Sequence, residues 1–152
     1  MEAPPPAPST PLHPTIPGYV AKIVNGVAYA PSMAPIQIQR AIWAGNRIRT
    51  KPYVFGGGHA SFKSRGYDCS GSVSYVLHAM GALRSPLDSS ALMHYGAPGP
   101  GRWVTIYANP GHAYMTIEGR RFDTSPQWQG GSRWSIYDRS SAGYVVRHPP
   151  GL

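Results

Sequence analysis

The spacing of apolar residues in the first half of the chain predicts a helix over about residues 33–48. Ser32 precedes this segment as a candidate N-cap, and Lys51-Pro52 follows it as the end of the helix. The residues that share its apolar face are Ile38, Ala41, Ile42, Gly45 and Ile48.

A second apolar stripe predicts a helix that begins after Asp68 and runs to about Met80. Asp68 is the candidate N-cap, and Gly81 stands where a C-cap glycine is common. A glycine-rich loop, YVFGGGHASFKSRG, precedes this helix, and a short helix near residues 89–94 follows it. The stripe is formed by Val73, Val76, Leu77 and Met80.

The second half of the chain is rich in β-branched and aromatic residues and predicts strands. Glu118-Gly119 is predicted to be a two-residue turn between two of them. An earlier hairpin over residues 18–30 is predicted around Asn25-Gly26, because both positions of a type I′ turn need positive φ. Helices followed by an antiparallel sheet define an α+β domain. The predicted strands lie at residues 102–108, 112–118, 120–125 and 143–148.

The predicted organisation is a tail followed by a single domain. Residues 1–17 are rich in proline and cannot bury a core, so we expect a disordered tail or linker there. Residues 18–152 suit one domain with an N-terminal hairpin and helix. No apolar run reaches the roughly 18 residues of a membrane span, and the start lacks the apolar core of a signal peptide. The chain is therefore expected to be cytosolic, or a mature segment without its export signal.

The balance of charges is strongly basic. Fourteen Lys and Arg face six Asp and Glu, which gives a formal net charge of +8. Such a surface favours a polyanionic partner, either nucleic acid, an anionic membrane or an anionic wall polymer. The charges are scattered and no nucleic-acid motif is present, so we expect general attraction and no nucleic-acid readout.

Cys69 is the single cysteine, so it cannot form an internal disulfide. It falls in the first turn of the predicted helix, where free backbone N–H groups and the helix dipole stabilise a thiolate and an oxyanion. A buried structural cysteine is the simpler interpretation of a lone thiol. Its unique occurrence, its place at a helix start and its polar neighbours Asp68 and Ser70 favour a nucleophile instead.

A cysteine nucleophile needs a base and a group that orients the base. His112 begins a predicted strand after Asn109-Pro110-Gly111, and His59 in the glycine-rich loop remains an alternative. If Glu118-Gly119 is a two-residue turn, the residue numbers of two residues that face each other across the hairpin add up to 237. His112 and Asp123 are then diagonal neighbours on one face of the hairpin. Cys69, His112 and Asp123 are therefore the candidate catalytic residues.

Four pieces, in order, resemble the NlpC-type cell-wall endopeptidases, a papain-like cysteine peptidase family. They are YVFGGG at 53–58, DCSG at 68–71, GHAYMTIEG at 111–119 and a polar residue after the hairpin. The resemblance covers roughly residues 35–147. It implies a nucleophile helix packed on an antiparallel sheet that carries the base.

The resemblance also implies roles for individual residues. Cys69 corresponds to the nucleophile, His112 to the base and Asp123 to the third residue, which is more often His in the family. Tyr53 corresponds to the tyrosine whose hydroxyl lies near the thiol. The positions of Asp68 and Ser70 help to hold substrate. Phe55 stands where Trp is common, and the stretch GHASFKSRGY before DCSG is longer than usual.

The family implies hydrolysis of peptide bonds in peptidoglycan stem peptides, with no cofactor and no metal. We therefore expect stem peptides and anionic wall polymers as partners and a secreted or cell-envelope location. The alternatives are a papain-like acyltransferase or interbacterial toxin amidase on the same fold, and a binding module that has lost activity. A metal site from Cys69, His59 and His112 is disfavoured, because no close-spaced pair of ligands is present.

Overall fold

The computed structural model describes residues 11–125 and 131–152 of the chain. The helices are α1 (Ile36–Ile48), α2 (Cys69–Ala79) and α3 (Ser89–Leu92). The strands are β1 (Thr15–Ile16), β2 (Lys22–Val24), β3 (Val27–Pro31), β4 (Ala97–Pro98), β5 (Val104–Asn109), β6 (His112–Ile117), β7 (Arg120–Phe122), β8 (Trp134–Ser135) and β9 (Val145–His148).

A small sheet with the strand order β1-β3-β2 begins the fold. The predicted hairpin is confirmed, since β2 and β3 pair antiparallel around Asn25 and Gly26, whose φ values are 51° and 76°. The prediction that the tail runs to residue 17 needs correction, because Thr15 and Ile16 pair in parallel with β3. Residues 1–10 of the predicted tail lie outside the described residues.

The main sheet has the strand order β4-β9-β5-β6-β7-β8, and its pairings are antiparallel. All four predicted strand regions contain strands of this sheet, and the α+β class is confirmed. Ile117 pairs with Arg120 across Glu118-Gly119, so the predicted two-residue turn and its register are correct. The short strands β4 and β8 were not predicted.

Helix α1 begins three residues later than predicted. Pro35 is its N-cap without a side-chain hydrogen bond, and Ser32 instead accepts a hydrogen bond from the backbone N–H of Gly18. A residue that precedes proline avoids the helical region, so the helix cannot extend back through Ala34. The predicted apolar face is buried as expected. Gly45 allows close packing, because a Cβ there would lie 2.6 Å from Trp134 of β8.

Helix α2 has the predicted cap and the predicted buried face. The Asp68 carboxylate accepts a hydrogen bond from the Gly71 N–H at 2.7 Å, which satisfies one of the free donors of the first turn. A Cβ on Gly71 would overlap the carbonyl oxygen of Gly57, so this glycine lets the helix start pack against the glycine-rich loop. The stripe of Val73, Val76, Leu77 and Met80 joins the core.

Arg133 is fully buried at the centre of the fold, and its guanidinium donates to oxygens of three segments. Burial lowers the pKa of Arg133 to about 10, so it stays charged at neutral pH. Because this charge has four acceptors at hydrogen-bonding distance, it connects the C-terminal end of α1 and the start and first turn of α2 to the residue that precedes β8. The acceptors are the carbonyl oxygens of Ile48, Lys51 and Tyr67 and the hydroxyl of Ser72, at 2.6–2.9 Å.

Replacement of Arg133 with Met should destabilise the fold by roughly 3 kcal/mol or more, because buried acceptors would lose a charged donor. Arg147→Met is a matched control, since Arg147 also donates to backbone carbonyls but is only partly buried. Urea unfolding of both variants measures the difference. Equal stability losses would contradict the assigned role of Arg133.

Candidate active site

Cys69 is the first residue of α2 and lies at the base of an open cleft. Its residue surface is 9% exposed, so the thiol is shielded but reachable from the cleft. In the first turn, the N–H of Gly71 donates to the Asp68 carboxylate, and the N–H of Ser72 donates to the Asp68 carbonyl oxygen. Within the described residues, the N–H groups of Cys69 and Ser70 donate no hydrogen bond. They remain available for a negatively charged oxygen.

His112 is the first residue of β6, and the β6–β7 register brings it to Asp123. Its Nε2 lies 2.9 Å from Oδ1 of Asp123, and its ring is near enough to Cys69 for that residue to contribute to the raised pKa of the imidazole. Since Nε2 is used by the carboxylate, Nδ1 is the ring nitrogen left to interact with the thiol. The two candidate catalytic partners of Cys69 are therefore brought together.

The electrostatic surroundings of His112 favour the imidazolium. Burial alone would lower the pKa of His112, but the hydrogen bond to Asp123, the nearby Cys69 and the charge of the Asp123 carboxylate raise it to about 9. His112 is therefore a cation at neutral pH, next to the thiol. Such a group can stabilise a thiolate and later donate a proton.

Asp123 is wholly buried, with 0% side-chain exposure, and it accepts several hydrogen bonds. Burial alone would raise its pKa, but the hydrogen bond from His112, the backbone N–H of Ser125 and the guanidinium of Arg139 lower it to about 2. Arg139 donates to Oδ2 at 2.8 Å, and Arg121 lies 3.4 Å from the same oxygen. Asp123 is therefore an ionised carboxylate throughout the neutral range.

The cleft beside Cys69 has a volume of about 410 Å³. Tyr53, Asp68 and Ser70, the three residues for which substrate contact was predicted, all line it. The pKa of Tyr53 is raised by partial burial, then by its proximity to Cys69 and Asp68. Their contact with a substrate stays a prediction. The other lining residues are Phe55, Gly56, His59, Asp88, Ser89, Ser90, Pro110 and Gly111.

His59, the alternative base, has a different set of partners. Its Nε2 lies 2.8 Å from Oδ1 of Asp68 and 3.0 Å from the hydroxyl of Ser70. The other oxygen of Asp68 accepts from the N–H of Gly56 at 3.0 Å. His59 thus binds the N-cap residue of α2 at the wall of the cleft, whereas His112 binds Asp123 and lies near the thiol.

Two partners of Asp123 were missed from the sequence. Arg121 stands on a predicted strand, and its Nε lies 3.4 Å from Oδ2 of Asp123. Arg139 belongs to a segment with no apolar periodicity, 16 residues after Asp123. No local signal marks either arginine as part of the site.

The parts of the chain that the structure describes contain no group of three or more His, Cys, Asp and Glu side chains placed to hold a metal ion. Within the same ranges, no helix is long and apolar enough to cross a membrane.

The fold resembles that of a P60 domain of known structure. A crystal structure of the P60 domain from the M. avium subspecies paratuberculosis antigen MAP1204 superposes with a TM-score of 0.53. It is 22% identical to this chain, and the match covers 74% of this chain and 94% of that domain. No protein-family model and no curated protein matches the sequence. The comparison shows that this chain and the P60 domain share the same α+β fold.

We expect the imidazole of His112 to titrate with a midpoint near pH 9, above its usual pKa of 6.5. Because the folded-state pKa is raised, the stabilisation from the charged ring is complete below about pH 6.5 and is lost as pH rises through about 9. In Asp123→Asn the midpoint should fall, since burial still lowers the pKa while the carboxylate no longer raises it. An ¹⁵N NMR titration of the ring measures both midpoints, and an unchanged midpoint in the variant would contradict the pairing.

Proposed function

We propose that the protein is a cysteine endopeptidase that hydrolyses peptide bonds in peptidoglycan stem peptides. The observation that carries this proposal is the position of His112, which is hydrogen-bonded through Nε2 to the buried Asp123 and lies near Cys69, a residue that lines the cleft. The P60-like fold supports the class of substrate.

The reaction follows from the geometry in two steps. The Cys69 thiolate attacks the carbonyl carbon of the scissile bond, and the N–H groups of Cys69 and Ser70 stabilise the oxyanion. The carbon–nitrogen bond then breaks, Nδ1 of His112 gives its proton to the leaving amine, and a thioester remains on Cys69. Water next attacks the thioester while His112 accepts one of its protons. The carboxylic acid leaves, and the thiolate–imidazolium pair is restored.

The buried Asp123 orients the ring and stabilises its positive charge during both steps. This role matches the geometry, because the carboxylate binds Nε2 and leaves Nδ1 available for the thiol. We further propose that Tyr53 and Ser70 contact the substrate in the cleft, with Asp68 shaping its wall. The net charge of +8 would attract the enzyme to anionic wall polymers, which accords with a secreted or cell-envelope location.

Digestion of purified muropeptides, followed by mass analysis of the products, tests the proposed activity. The wild type should release fragments that differ by cleavage of one amide bond. Cys69→Ala and His112→Ala should lower the rate by at least about a thousandfold, because each removes a group that forms or breaks bonds. His94→Ala is the control for loss of an exposed histidine away from the cleft, and it should keep the wild-type rate.

The same assay separates the competing assignments. Products joined to an added amine, with little free acid, would indicate an acyltransferase. Loss of activity in His59→Ala combined with full activity in His112→Ala would make His59 the base and contradict the proposal. A folded protein that cleaves no muropeptide would favour a binding module.

Binding to isolated cell walls should weaken steeply as salt rises, because exposed charges are screened beyond about 8 Å at physiological ionic strength. A pull-down on isolated walls at low and high salt measures this dependence, with an uncharged polysaccharide matrix as the control. Retention that does not change with salt would indicate a specific binding groove. No retention at either salt would argue against the wall as a partner.

A further inference from the structure

The two oxygens of Asp123 have separate partners. Oδ1 accepts from Nε2 of His112 at 2.9 Å and from the N–H of Ser125 at 3.0 Å. Oδ2 accepts from Nη1 of Arg139 at 2.8 Å. A carboxylate held at both oxygens cannot rotate about its Cβ–Cγ bond without breaking a charge-assisted hydrogen bond. The bond to Arg139 therefore keeps Oδ1 directed at the imidazole.

Arg139 is itself held in place from several sides. Its Nη2 donates to the hydroxyl of Tyr144 at 3.1 Å, and its guanidinium carbon lies 4.9 Å from the ring centre of Tyr114 and 5.5 Å from that of Tyr144. Tyr107 stacks on Tyr114 behind this pair. A guanidinium that contacts two aromatic rings is pre-organised, so it loses little side-chain entropy when it binds the carboxylate.

Arg121 does not duplicate this arrangement. Its Nε lies 3.4 Å from Oδ2 of Asp123, and within the described residues that nitrogen makes no hydrogen bond. Arg121 therefore adds positive charge near the carboxylate without fixing its orientation. The two arginines provide a natural comparison between a guanidinium that is hydrogen-bonded and one that is only nearby.

We propose that Arg139 is a positioning residue, which fixes the Asp123 carboxylate through Oδ2 and thereby holds His112 in the orientation that reaches Cys69. The predicted effect of Arg139 on catalysis rests on the proposed function. The hydrogen bonds themselves do not depend on turnover and can be tested without substrate. The functional unit thus extends from the thiol through the imidazole and the carboxylate to the guanidinium and the Tyr144 hydroxyl. The charged and titratable groups that face Asp123 are His112, Arg121 and Arg139, with Tyr114 and Tyr144 beside Arg139.

The first measurement needs no substrate. In the full-length protein with Cys69→Ala, ¹⁵N-edited NMR reports the Nε2–H proton of His112 and its exchange with solvent. Arg139→Met should speed this exchange at least about tenfold or remove the signal, because the carboxylate becomes free to rotate. Arg139→Lys keeps a charged donor and should restore most of the protection. Arg121→Met should have a clearly smaller effect.

The second measurement uses the same substitutions with Cys69 intact. Arg139→Met should lower kcat by up to about a hundredfold, the scale of a misplaced catalytic group, while KM changes little. Arg139→Lys should recover most of kcat. If Arg139→Met does not fold, Tyr144→Phe removes only the hydroxyl that holds the guanidinium and should give a smaller acceleration of the same proton exchange.

Two results would overturn the proposal. One is that Arg139→Met leaves both the exchange rate of the Nε2–H proton and kcat within about twofold of the values without that substitution. The other is an equal loss in Arg121→Met, which would assign the effect to charge alone. Failure of every form to cleave peptide, with the NMR pattern as expected, would contradict the proposed function and leave the positioning role intact.

Discussion

The position of the candidate site depends on one buried guanidinium, that of Arg133. Its side chain donates to the Tyr67 carbonyl just before α2 and to Ser72 in the first turn of that helix. Its own carbonyl accepts from the backbone N–H of Asp123. The residue is 0% exposed, so these bonds form away from solvent, where the loss of a partner is costly. Arg133 therefore fixes the start of the helix that carries Cys69 and the strand end that carries Asp123 relative to one another.

The chemistry of the site follows from burial combined with compensating charge. A carboxylate with no exposed surface would ordinarily become protonated, because water no longer stabilises its charge. Asp123 stays ionised because cations and a backbone N–H surround it. This stable negative charge raises the pKa of His112 and favours the imidazolium, with Cys69 nearby. The site is thus assembled before any substrate arrives, which is the condition under which electrostatic stabilisation of a transition state is most effective.

Local signals explain why much of this arrangement could be predicted from the sequence. The Asp68 cap depends on residues three positions apart, and the Glu118-Gly119 turn sets the register that brings Asp123 to His112. Both are decided by neighbouring residues. The predicted start of α1 was three residues too early, because Ser32 has the chemistry of an N-cap. The backbone restriction that Pro35 places on Ala34 outweighs that capping preference.

The features that escaped prediction depend on long-range contacts. Arg133 reaches the carbonyl of Ile48, 85 residues away, and no spacing in the sequence marks that bond. Strands β1, β4 and β8 have two residues each, which is too short for an alternating pattern. Arg139 lies in a segment without regular structure, and only the folded chain places it behind the catalytic candidates.

The most direct test of the central claim is a search for the covalent intermediate. The protein is mixed rapidly with a stem peptide, quenched in acid and analysed by intact mass and peptide mapping. We expect the acyl half of the cleaved peptide to be attached as a thioester to Cys69, with no adduct in Cys69→Ala. An acyl group found on another residue, together with undiminished cleavage by Cys69→Ala, would contradict the account.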